Sequence, residues 1–148
     1  MSIFVISVTA MVILVGAALA FQAPVNAALA RGIGDPVVAA VMQFGIGFLV
    51  LCVIASMRGG LPTVSQLKTI PWWAFTGGAL GAVWVLAAIW SVPRLGLVTM
   101  FGAMILGQLI AALLIDAGGM LGMEARSISA HRIAAVGLVM FGVLLSYK

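Results

Sequence analysis

The chain has 148 residues, 65% hydrophobic and only 7% charged, with a mean hydropathy of +1.33, which excludes a soluble domain, whose surface needs far more charge. Seven Lys and Arg against three carboxylates give a formal charge of +4. The basic residues stand singly at the ends of apolar runs, as in membrane loops, whereas nucleic-acid binding gathers them on one face.

Apolar runs of about 20 residues recur along the whole length, so the class is an all-α polytopic membrane protein, with one five-helix transmembrane domain over residues 1–148. Five spans are predicted, at about 3–30, 36–57, 72–91, 95–115 and 130–147. Ala18-Leu19-Ala20 fits a signal-peptidase site. The first 20 residues lack Lys and Arg, however, so the start reads as a retained membrane helix.

The first span would be about 42 Å long against a hydrocarbon core of ~30 Å, so it must tilt, kink or protrude. Pro24 supplies a kink by removing a backbone donor and clashing with the carbonyl four residues back. Gln22 and Asn26 flank it one turn apart, on nearly one face. They either bridge to a neighbouring helix or make a polar site at membrane depth. Arg31-Gly32-Ile33-Gly34 closes the span. Asp35-Pro36 then opens the second, with Asp as N-cap and Pro at the first helical position. Gln43 lies in the second span, followed by Gly45 and Gly47, and either lines a pathway or bonds a neighbouring helix. Cys52 reads as a small apolar residue.

Residues 58–70 form the first polar loop, with Gly59-Gly60, Pro62 and Lys68. Trp72 and Trp73 follow at the water–lipid boundary, where indoles favour the headgroup zone. In the third span Gly77, Gly81, Trp84, Ala88 and Ser91 share one face. The glycines admit a close neighbouring backbone. Trp84, near mid-membrane, either packs or walls a ligand site. Pro93 breaks the run. The fourth span follows, with Ala103, Gly107 and Ala111 as a small-residue stripe and Gln108 beside it. Asp116 ends this span, Gly118, Gly119 and Gly122 make a flexible exit, and Glu124 and Arg126 belong to a second polar loop. His131-Arg132 opens the fifth span, whose apolar part of roughly 22 Å obliges Arg132 and Lys148 to snorkel or the bilayer to thin.

Five spans put the termini on opposite sides. Arg58, Lys68, Arg126 and Arg132 lie on one side, Arg31, Arg94 and Lys148 on the other. So small an excess specifies orientation weakly. The chain is therefore expected either to insert both ways and pair with an inverted copy, or to be completed by a partner chain. A single orientation with a cytoplasmic N-terminus stays open. An inverted pair would give ten helices and a midplane interface, the architecture of alternating-access carriers.

No charged residue lies in the centre of any span, so the buried carboxylate of a proton-coupled carrier is missing, with Asp116 the nearest substitute. No GxxxxGK[ST] loop is present for ATP. His131 and Cys52, alone of their kinds, make no metal site. No nucleophile–base pair suggests an enzyme, and no cofactor is expected.

Gly77-Gly78-Ala79-Leu80-Gly81-Ala82, then Val92-Pro93-Arg94-Leu95-Gly96, then Gly107-Gln108-Leu109 and Leu114-Ile115-Asp116, resemble the YdcZ-like family of the drug/metabolite transporter superfamily. The amide pair around Pro24 and the closing run 137–145 also fit. The resemblance implies a five-span protein of the bacterial inner membrane, a homodimer or a paired heterodimer, and transport of a small metabolite or drug-like compound. The superfamily's small multidrug exporters rely on a glutamate in the first helix, where this chain has Gln22 and Asn26 and no carboxylate. The expected solute site is Gln22, Asn26, Gln43, Trp84 and Gln108, with Gly77, Gly81, Ala103, Gly107 and Ala111 as helix-packing positions. A small inverted-dimer channel and a structural subunit needing a second chain are the alternatives.

Overall fold

The computed structural model describes residues 3–60 and 62–147. Lys148, one of the basic residues counted above, lies outside them. Among the described residues the secondary structure is wholly helical: α1 (Ile3–Ile33), α2 (Pro36–Met57), the short α3 (Val64–Lys68), a 3₁₀ turn (Trp72–Thr76), α4 (Gly77–Gly118), a second 3₁₀ turn (Met120–Gly122) and α5 (Ala130–Leu145). Among the described residues three stretches are long and apolar enough to cross a membrane: Ile3–Ile33, Pro36–Met57 and Trp72–Gly118. α5 is apolar but shorter, at 16 residues, or about 24 Å.

The helix ends follow local chemistry. α1 stops at Gly34, whose φ of +84° is costly for any residue with a Cβ, and whose amide still donates to the Ala30 carbonyl at 2.9 Å. The Asp35 carboxylate accepts from the Val37 and Val38 amides at 2.7 and 3.2 Å, with Pro36 at the first helical position. The expected cap is thus formed. Within the first loop, Thr63 and Gln66 close a reciprocal capping box around α3, a signal readable in the sequence as Thr-x-x-Gln.

The predicted break between the third and fourth spans lies at 91–96. Pro93 sits inside the helical stretch of α4, and the backbone departs from helical geometry three residues later, at Gly96, with φ 75° and ψ 167°. That region of backbone space is essentially glycine's alone. Proline weakens the helix by removing a donor, but the residue without a Cβ is the one that takes up the break. The expected 72–91 and 95–115 spans are therefore two helical segments that meet across a kink at Gly96. An unbroken helix over the 47 residues of Trp72–Gly118 would measure about 70 Å, more than twice a hydrocarbon core.

Two compact units divide the chain, 1–93 and 94–148. In the first, α1 and α2 pack along each other. Ala30, Ala39, Ala40, Val85 and Ile89 form its buried cluster, with Leu29, Trp84 and Leu86 against it. Alanines let helix backbones approach closely where lipid offers no hydrophobic drive for association. In the second, a Cβ on Gly102 would stand 3.0 Å from the Val143 side chain, so the helices touch where glycine leaves room.

Candidate functional site

The register of the first unit follows from its contacts. Ala30 of α1 shares the buried cluster with Ala39 and Ala40 of α2. Asn26 is four residues before Ala30, and Gln43 is four after Ala39. In an antiparallel hairpin each therefore lies one turn deeper on the same two facing surfaces. Counted from the Gly34-Asp35 turn both are about 13 Å along their helices, near the middle of a ~30 Å core. Gln22 is one turn deeper again. On α4, Val85 and Ile89 join the cluster and Trp84 packs on it. The Phe44 ring lies 3.8 Å from where a Cβ on Gly81 would sit. The Gly81–Trp84 turn of α4 is thus at the level of Gln43-Phe44.

Burial sorts the expected residues. Asn26 is buried, between Ala23, Ala27 and Ala30 on the buried face of α1. Gln22, Gln43 and Trp84 are half-buried. The Gln43 Oε1 atom is itself buried and has no hydrogen-bond partner. An orphaned buried acceptor costs about 1–3 kcal/mol, so its persistence asks for an explanation, and a donor arriving from elsewhere is one. Four of the five expected solute residues therefore fall on the inward surfaces of one unit. Gln108 belongs to the other unit and is exposed, as are Gly107 and Ala111, while Ala103 is half-buried. Of the two glycines on α4's first half, Gly81 faces Phe44 and Gly77 stands in the open.

Sequence reasoning missed one element of the second unit. The Arg132 guanidinium donates to an Asp116 carboxylate oxygen. The pair lines a cleft of about 140 Å³ together with Leu109, Ala112, Leu113, Ala135 and Val136. The Asp116 carbonyl also accepts from the Arg126 amide at 2.7 Å, tying the glycine-rich loop back on the helix end. Its sequence signal was opposite charges at two span ends on one side of a short loop. The unit's buried hydroxyl is likewise engaged: Thr99 Oγ1 donates to the Ser146 carbonyl at 2.9 Å. Among the described residues no group of His, Cys, Asp and Glu could hold a metal ion.

A family model described as "Putative inner membrane exporter, YdcZ" matches residues 7–145. No curated relative and no solved structure matches the chain.

Proposed function

We propose a transport function from one premise: the chain belongs to the YdcZ family of inner-membrane proteins. It is a multi-pass protein of that membrane, and its family is one of exporters rather than enzymes. From there we infer a secondary exporter of a small metabolite or drug-like compound, uncharged or weakly polar, working by alternating access. The solute site is the inward surface of the first unit, where Gln22, Asn26 and Gln43 orient the solute and Trp84 packs on it. The observation that carries this reading is the buried, unpartnered Gln43 Oε1 at the same depth as the buried amide of Asn26.

The working unit is a dimer, inverted or paired, in which each chain crosses the membrane five times through α1, α2, the two parts of α4 on either side of Gly96, and α5. Two observations support it. The Lys and Arg distribution specifies orientation weakly, and Gln108, Gly107 and Ala111 lie exposed on α4, where an amide facing lipid is unfavourable and a second chain would cover it. Glycine and alanine at those positions permit the close, sliding contact that alternating access needs.

Transport by reconstituted protein, followed on a solid-supported membrane against a panel of neutral and cationic solutes, tests the site. Asn26→Leu is expected to lower flux of any transported solute at least tenfold without loss of the dimer. Unchanged flux in an intact dimer would remove the site assignment. Cysteine labelling of loops in cells tests the pairing: accessibility of the same loop from one side only excludes an inverted homodimer.

A further inference from the structure

We propose that the exported solute is an uncharged molecule carrying an N–H or O–H donor, and that Gln43 reads this donor through its amide oxygen. The inference rests on the transport reading above and deepens it.

Two acceptors of this unit lack the donor that would complete them. Gln43 Oε1 is buried and unpartnered. Pro24 lies inside α1 and has no N–H, so the Ala20 carbonyl receives no helical bond from it. Both groups belong to the same compact unit, and Ala20 is half-buried. In lipid, water does not complete such groups. A ligand that supplies a donor gains a hydrogen bond and removes the cost of the orphan; one that supplies only an acceptor leaves the Gln43 oxygen unpaired.

Charge is excluded on equally local grounds. The unit's charged residues are Arg31 in the last turn of α1, Asp35 and Arg58 at the caps of α2, and Lys68 on α3. None lies at the depth of Asn26 and Gln43. A cationic or anionic solute there would meet amides and an indole but no counter-charge, and an unpaired charge at membrane depth is costly. Trp84 adds an apolar surface against the buried cluster, which suits a flat neutral molecule with its polar edge turned to Gln43.

The test uses matched pairs in which methylation removes every donor: indole and 1-methylindole, benzyl alcohol and benzyl methyl ether, benzamide and N,N-dimethylbenzamide. Binding is measured by ligand-observed NMR on the full chain in nanodiscs, with empty nanodiscs subtracted. The donor-bearing member is expected to bind wild type roughly tenfold more tightly, the equivalent of one hydrogen bond. Gln43→Leu and the unbranched Gln43→Met should both level the pairs. Equal binding within every pair, including no binding, overturns the proposal, as does discrimination that survives in both variants. If Asn26→Leu abolishes transport while the pairs bind alike, the donor inference falls and the site stands. If transport survives both Asn26→Leu and Gln43→Leu, the site falls as well.

Discussion

The two units treat their buried polar groups in opposite ways. In residues 94–148 the buried hydroxyl of Thr99 donates to Ser146, and the half-buried Asp116 and Arg132 hold each other. In residues 1–93 the amide oxygen of Gln43 is buried with no partner, on the same packed surface as Asn26. A polar group engaged inside the protein stabilises the protein; one left open is available to something outside it. On the proposed function the first unit is the receptor and the second the braced scaffold, a division that substitutions can break.

The largest expected effect is at Gln43. Gln43→Leu should abolish or lower transport by more than tenfold and at the same time raise thermal stability, because it removes an orphaned acceptor worth about 1–3 kcal/mol. Opposite signs in flux and in melting temperature, measured on one preparation, are the signature of a site that is destabilising by design. A variant that loses both would make Gln43 a structural residue and erase the contrast between the units.

The contrast was only partly legible in the sequence. Composition and run length give the all-helical membrane class directly, and Asp35-Pro36 announces the start of α2 because capping is a matter of adjacent residues. The candidate amides were legible as residues but not as a set. Gln43 and Gln108 look alike in sequence, each a lone amide in an apolar run, and only packing turns one inward on the alanine cluster and leaves the other exposed. The helical runs carry apolar residues on all faces, so periodicity does not say which face is buried. The Asp116–Arg132 pair was hidden for a different reason. Sixteen residues and a glycine-rich turn separate its members, and the closure depends on a left-handed Gly119 and on Leu121 at φ 59°, which no local propensity predicts. At 91–96 the proline signal is real, but the position of the break follows from which residue tolerates φ 75°.

Next in size is Gly102. A Cβ there would already lie 3.0 Å from Val143, so Gly102→Leu should destabilise the second unit by about 3 kcal/mol, the upper range for overpacking. Urea or SDS unfolding measures it, and the milder Gly102→Ala should be restored by Val143→Ala. If Gly102→Leu is neutral, the second unit is not braced at that contact.

Gly96 separates backbone strain from packing. An added Cβ meets nothing within 4 Å, so Gly96→Ala tests the backbone alone. It should cost about 2 kcal/mol, typical of a non-glycine residue forced into that region. A cost near zero in the same unfolding assay would mean that residues 91–96 adopt another conformation in the membrane.

The smallest effect, and the sharpest discrimination, comes from Asp116→Asn. The two side chains of its ion pair are 37% (Arg132) and 20% (Asp116) exposed, so solvent screens part of their attraction and the pair contributes about 1 kcal/mol. Added salt should shrink that figure further. As a brace, the pair predicts a modest loss of stability with transport retained, and an equal loss in Arg132→Gln. As the coupling carboxylate of a proton-driven carrier, Asp116 would behave differently. Asp116→Asn would keep the fold and abolish proton-driven accumulation while leaving passive exchange of solute intact. Accumulation and exchange, measured side by side in proteoliposomes with and without a pH gradient, tell the two apart. Loss of accumulation alone would move part of the machinery into the second unit, and the division between receptor and scaffold would have to be redrawn around the cleft that Asp116 lines.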